Sequence, residues 1–328
     1  VRAGLLLYFL LSLTLAQTKV VLLGTGNPNA NPERMGASIA VITNGKPYLV
    51  DFGPGVVRRA SEAFNNGVEE LAMSNLTHAF VTHLHSDHTV GFADLIFTPW
   101  VLDRDQPMAV YGPRGIKAMA RNIIRAYRED IDIRINGRQP QNTTGYKVNA
   151  TDIRPGVIFD DNDLKVTAFK VNHGEIEEAY GYKFETEDKT IVISGDTAPS
   201  ESIVEQCNGC DMLFHEVYSL EKFQLKTPEW KAYHSSYHTS TSELAEIATQ
   251  ARPKLLVLYH QIFWGATGEE ILREIQEKTW MFLSSELKHS VRQIKLSSAL
   301  FPFKHAYFYQ IFKITFHFPL PDRTEFSA

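Results

Sequence analysis

The stretch Val81-Thr82-His83-Leu84-His85-Ser86-Asp87-His88-Thr89-Val90-Gly91 decides how the rest of the chain is read. Within six residues it supplies three imidazoles and a carboxylate: His83, His85, Asp87 and His88. Just upstream, residues 76–82 (LTHAFVT) are apolar and β-branched, so the cluster is expected where a strand gives way to a loop. In a loop the alternate pair His83 and His85 can turn toward one point. The offset pair Asp87 and His88 can then aim at a second point beside it. Neutral imidazoles and carboxylates suit zinc or a similar divalent ion. With 12 histidines in 328 residues, three in six positions beside an aspartate is a poor fit to chance. The stretch reads as a metal site.

Working outward, three further candidates each follow a predicted strand: His173 after residues 164–171, Asp196 after 190–194, and His260 closing 254–260. The H-x-H-x-D-H stretch resembles the signature of the metallo-β-lactamase superfamily of metal-dependent hydrolases. The resemblance implies that His83, His85 and His173 hold one metal ion. It further implies that Asp87, His88 and His260 hold a second, with Asp196 bridging both. Two divalent ions, zinc or else manganese, about 3.5–4 Å apart could share a hydroxide nucleophile and stabilise the oxygens of an in-line displacement. The fold implied is α/β, a four-layer αββα sandwich with the metals along one edge between the sheets.

Other residues resemble the ribonuclease Z-like branch, which processes the 3′ ends of transfer RNA. The run Leu23-Gly24-Thr25-Gly26-Asn27-Pro28 looks like its first-strand motif, Phe214-His215-Glu216-Val217-Tyr218 like its His-Glu motif, and His238 like its extra histidine. By resemblance Glu216 orients His238, and His238 protonates the departing oxygen, a step that helps a poor alkoxide leaving group. Asp87 joins them as a catalytic residue. His215 either supports the site or simply packs beside Glu216. Asp51, ending the strand 48–52, either supports the metal loop, as in the family, or caps the next helix.

The resemblance covers roughly residues 19 to 275 and departs from the family in two places. No long arm is inserted after His173, and that arm grips transfer RNA in many relatives, so a transfer-RNA substrate is not expected. Bulky residues also follow the last ligand, in Tyr259-His260-Gln261-Ile262-Phe263-Trp264, where small polar ones are typical of the family. They imply a different pocket.

Composition sets the outer bounds. The chain is 44% hydrophobic and 22% charged with net charge −5, which suits a sizeable core and offers no overall attraction to nucleic acid. Arg121, Arg125 and Arg128 lie on a predicted helix, Ile116 to Tyr127 and just beyond, and read as a solvated face rather than a substrate contact. Residues 1–16 read as a secretory signal peptide: Arg2, an apolar run from Leu5 to Leu15 too short to span a membrane, then Ala16. A secreted or periplasmic location follows, with no transmembrane span expected. The two cysteines, Cys207 and Cys210, form either a short disulfide or two ordinary residues at a helix end. Sequons at Asn75, Asn142 and Asn149 permit glycosylation without indicating it.

The domains read as the signal, a hydrolase domain over 17–277, and an atypical tail over 278–328. That tail lacks glycine and crowds aromatics between Phe301 and Phe318. It reads as an aberrant terminus in preference to a membrane- or partner-binding extension. Elsewhere the strands suggest two mostly antiparallel runs interrupted by helices, and residues 130–156 suggest a loop-rich rim. The function expected is that of a dinuclear phosphodiesterase acting on an anionic ester, dimeric by family analogy. Its alternatives are an arylsulfatase or lactone/thioester hydrolase on the same fold, or a non-catalytic binding protein.

Overall fold

The structure, a computed structural model, describes residues 18–139, 141–286, 295–299 and 311–315. The expected signal segment and most of the tail lie outside these residues.

The first half builds one sheet and its helices. In chain order these are β1 (Lys19–Gly24), β2 (Ser38–Thr43), β3 (Lys46–Val50), α1 (Val56–Asn65), β4 (His78–Phe80), α2 (Ser86–Thr89), α3 (Phe92–Val101), β5 (Met108–Gly112), α4 (Ile116–Ala126), α5 (Arg128–Asn136) and β6 (Val148–Asp152). The second half follows with β7 (Gly156–Asp160), β8 (Leu164–Lys170), β9 (Tyr180–Thr186), β10 (Thr190–Ile193), α6 (Glu201–Cys207), β11 (Met212–Tyr218), α7 (Leu220–Phe223), α8 (Pro228–Tyr237), α9 (Thr241–Ala251), β12 (Leu255–Ile262), α10 (Gly268–Glu286), β13 (Lys295–Ala299) and β14 (Ile311–Thr315). The sheets run β1-β2-β3-β4-β5-β6 and β13-β14-β12-β11-β10-β9-β8-β7.

Strand periodicity creates the four layers. Successive side chains point to opposite faces of a sheet. On β2, Ile39 and Val41 enter a core shared with Phe184, Ile191 and Tyr259 of the second sheet, while Ala40 and Ile42 face the core of α1 and α3. On β10, Ile191 and Ile193 face the first sheet, and Val192 faces the core of α6 and α9. Sheets buried on both faces require helices outside them, which is the αββα sandwich.

Two expectations need correction. The second sheet is mostly antiparallel as expected, with β10, β11 and β12 in parallel, but in the first sheet β3 to β6 all pair in parallel. Helical crossovers between those strands impose the parallel pairing. Nor is 130–156 a loop region, because it holds α5 and β6. Helix α5 carries no apolar stripe in the sequence because Ile131 is its one buried residue, and its exposed face holds the Asp130–Arg134 pair one turn apart. The strand is a polar edge.

Other local features of the sequence take definite forms. Asn44 and Gly45 turn β2 into β3, both with positive φ. Cys207 and Cys210 are joined by a disulfide at the end of α6. Arg121, Arg125 and Arg128 are exposed. No helix among the described residues is long and apolar enough to cross a membrane.

Candidate metal centre

The motif stretch leaves β4 and divides in two. His83 lies outside any helix or strand and His85 is extended, whereas Asp87 and His88 belong to the helical turn α2, which His85 opens. The sequence suggested a loop for all four. The turn is what sends Asp87 and His88 to a different point from the first pair. Close backbone contact holds it there: a Cβ on Gly53 would lie 2.4 Å from the Asp87 carbonyl oxygen, so only glycine fits.

His173 follows β8, Asp196 follows β10 and His260 lies within β12, and all three come from the second sheet. The His83 Nε2 and His173 Nε2 atoms stand 3.0 Å and 3.2 Å from His85 Nδ1. Asp87, His88, Asp196 and His260 form a second convergence, their ligating atoms within 4.8 Å of one another. In it His260 Nε2 lies 3.1 Å from Asp87 Oδ2 and 3.2 Å from Asp196 Oδ2, and His88 Nε2 lies 3.4 Å from Asp196 Oδ2.

Neighbouring groups fix which ring atom faces the site. His173 Nδ1 donates to the Tyr237 carbonyl at 2.9 Å, and His88 Nδ1 donates to Asp51 Oδ2 at 2.8 Å. Asp51 also accepts from the Thr82 amide at 2.8 Å and from the Thr82 hydroxyl. Its side chain therefore supports the metal loop and does not cap α1, whose N-cap is Gly55.

The electrostatics suit a cation. Burial pushes His83 well down and His173 down to about 3, leaving neutral rings. For Asp196, burial would raise the carboxyl, but His260 and His88 hold it well below the usual range. Burial would likewise lower His88, yet Asp196 and Asp51 hold it well above. The neutral His83 and His173 rings and the ionised Asp196 are in the protonation states that metal binding demands, and a cation would take the place of the proton that the carboxylates hold on His88. Buried His88 Nε2 and Asp196 Oδ1 also have no hydrogen-bond partner. Buried polar atoms seldom go unpaired, and a divalent ion is the partner this donor set fits.

Next to the convergence, His238 Nδ1 stands 3.2 Å from Glu216 Oε1. The same oxygen accepts from the Thr197 and Thr239 amides. Burial, then the Asp196 charge, raises Glu216 well above the ordinary carboxyl value. Burial pushes His238 down to about 4. Glu216, His238 and His260 form a third close group. His215 is fully buried and donates from Nδ1 to the Glu216 carbonyl at 2.7 Å.

A cleft of about 300 Å³ opens over these groups, lined by His85, Asp87, Asp196, His238 and His260. The Gly24-Thr25-Gly26 run explains part of its wall. A Cβ at Gly24 would fall 1.9 Å from the Gly36 carbonyl oxygen, so this close crossing of two backbones carries Asn27 and Asn29 into the cleft. Trp230, Tyr233 and His234 of α8 line it as well, with Trp264. The three residues of α8 escaped sequence reading. The Thr227-Pro228 start of that helix was the available signal, an N-cap followed by proline at the first helical position.

Residues 47–261 match the family described as "Beta-lactamase superfamily domain". The chain is 32% identical over 254 residues to the ribonuclease Z of Mycobacterium sp. (strain KMS), covering 77% of this chain and 87% of that relative. Among solved structures, the short form of human tRNase Z aligns with TM-score 0.58 at 23% identity, covering 75% of this chain and 93% of that one. The metallo-β-lactamase fold protein YhfI from Bacillus subtilis aligns with TM-score 0.59 at 16% identity, over 79% and 92%. The structural likenesses speak for the fold, and the sequence match carries the family: the chain belongs to the β-lactamase superfamily and, within it, to the ribonuclease Z-like metal-dependent hydrolases.

Proposed function

We propose that the chain is a dinuclear phosphodiesterase. His83, His85 and His173 would hold one divalent ion, Asp87, His88 and His260 the other, and Asp196 both. Zinc suits this mixed set of imidazoles and carboxylates. Bound there, such ions supply Lewis acidity and activate water at neutral pH. The other roles fall to the protein. His85, Asp87 and Asp196 face the cleft, so the ions they would hold are the groups that meet the phosphate there.

His238 would give its proton to the leaving oxygen. Burial keeps its ring neutral in the free site, so the proton must be gained when an anionic ester brings negative charge into the cleft. Glu216, pinned by two backbone amides, keeps Nδ1 of that ring in place. The pairing of His238 with Glu216 beside the ligand convergence is the observation that carries this reading. Lactone and thioester hydrolases on the fold, whose substrates are carbon-centred, do not need that pair.

Between His173 and Asp196 the chain makes only the hairpin of β9 and β10, turned by residues 187–189. The hairpin argues for a small or unstructured RNA-type phosphodiester in preference to folded transfer RNA. The disulfide supports an oxidising compartment, such as a secreted or periplasmic one.

The test is hydrolysis by zinc- and manganese-loaded protein of bis(p-nitrophenyl) phosphate and of an oligoribonucleotide, whose alkoxide leaving group needs a proton, with His238→Ala compared on the oligoribonucleotide. We expect kcat to fall by about 10²–10⁴-fold in the variant, the usual contribution of a general acid. Full activity in the variant would refute the role of His238. Inactivity of both proteins with two metals bound would move sulfate esters and lactones to the front.

A further inference from the structure

The aromatic residues on α8 and after β12 are not needed to hold a metal or to move a proton. We propose that Trp230, Tyr233 and Trp264 form a subsite that stacks one nucleobase of a nucleoside phosphodiester, an inference that rests on the phosphodiesterase reading and names its substrate class.

The first argument is exposure. Trp230 is 56% exposed and Tyr233 39%, on a helix whose single buried residue is His234. The core gains little from these rings, yet both line the cleft that holds the metal-site residues. The second is rigidity. Tyr233 stacks on Tyr237 at 4.5 Å between ring centroids, and Trp230 stacks on His234 at 5.6 Å. His234 meets Trp264 edge-on at 4.6 Å, and the Lys226 ammonium lies 4.6 Å over the Trp264 ring. Rings backed in this way lose little freedom when a ligand covers the open face.

The third argument is position and size. Tyr233 lies 6.3 Å and His234 5.6 Å from the His238 ring, so the wall begins next to the proposed proton donor. The Asp196 and Asp87 charges reach Tyr233, where burial and then those carboxylates raise the phenol above its ordinary value. The cleft's 300 Å³ is at the small end of the range for small-molecule sites, ~300–1,000 Å³. It has room for one nucleotide unit. Aromatic stacking accepts any base, and Asn27 and Asn29 in the same lining are tied to the Gln261 carbonyl and to each other, so the wall selects a base without selecting which one.

Trp230 and Trp264 can report binding themselves. On the zinc-loaded full chain, tryptophan fluorescence would be titrated with AMP and with ribose 5-phosphate. We expect AMP to bind at least about tenfold tighter, the low range of base stacking. Trp230→Ala should remove most of that preference and Trp230→Phe should keep it. In turnover, the preference for thymidine 5′-(p-nitrophenyl phosphate) over methyl p-nitrophenyl phosphate should shrink in Trp230→Ala, mainly through KM. Equal affinity for AMP and ribose 5-phosphate overturns the proposal. So does a preference left intact in both Trp230→Ala and Tyr233→Ala, which would leave the wall as a docking face for protein. If neither diester is hydrolysed while the AMP preference holds, the phosphodiesterase reading fails and the base subsite stands.

Discussion

At the scale of single residues, Asp51 shows how support reaches the site without touching a substrate. Its carboxylate accepts from His88 Nδ1 and from both the amide and hydroxyl of Thr82, and its backbone sits at φ 60°, uncommon outside glycine. Asp51→Ala would leave the His88 ring free to turn and the Thr82 amide buried without a partner. We expect metal affinity to fall about 10–100-fold, the usual effect of losing a group that orients a ligand. Competition with a fluorescent chelator measures this, and unchanged affinity would return Asp51 to a purely local role. The sequence left Asp51 between two readings because its direction depends on that φ, which no periodicity announces. His83, His85, Asp87 and His88 were legible because six residues of chain cannot scatter them far. The arrival of His173, Asp196 and His260 at the same place was legible only through resemblance, since local sequence says nothing of which strand ends meet.

At the scale of elements, helices that face the core were readable and those that face solvent or the cleft were not. In α1 the buried Val56, Val57 and Ala60 make an apolar stripe that the sequence displays, whereas α5 and α8 each bury a single residue and carry no such stripe. End signals compensate when they are strong. Helix α9 opens with a capping box, in which the Ser240 hydroxyl accepts from the Glu243 amide and Glu243 accepts from the Ser240 amide. This cap also ends the extended residues His238 and Thr239 that face Glu216. Ser240→Ala should destabilise the protein by about 1 kcal/mol, and Ser240→Asp should recover most of that. Urea unfolding monitored by circular dichroism reads the difference. Equal stability of all three would mean that tertiary packing alone sets the start of α9.

At the scale of the whole molecule, the candidate ligand groups join two halves that are also held by a shared apolar core and by peripheral ion pairs such as Lys46–Asp163 and Arg114–Glu178. His83, His85, Asp87 and His88 belong to the first sheet's half, and His173, Asp196 and His260 to the second. A few hydrogen bonds cross beside them, from Tyr182 Oη to the Val81 carbonyl at 2.6 Å and from the Tyr180 amide to the Thr82 carbonyl. Without a cation, the buried Asp87 and Asp196 carboxylates rely on His88 and His260 for positive charge. A divalent ion supplies that charge and clamps the halves at the same time. It binds the folded chain and not the scattered ligands of an unfolded one, so at about 1,000 times its Kd it should add about 4 kcal/mol of stability. Removal by EDTA should therefore lower Tm by on the order of 10 °C, with zinc restoring it. Asp196→Ala should unfold at a temperature that responds much less to zinc or EDTA, because a carboxylate of the second convergence is gone. A wild-type Tm indifferent to EDTA, under conditions where metal analysis confirms its removal, would mean that the apolar core and the peripheral ion pairs alone hold the two sheets together.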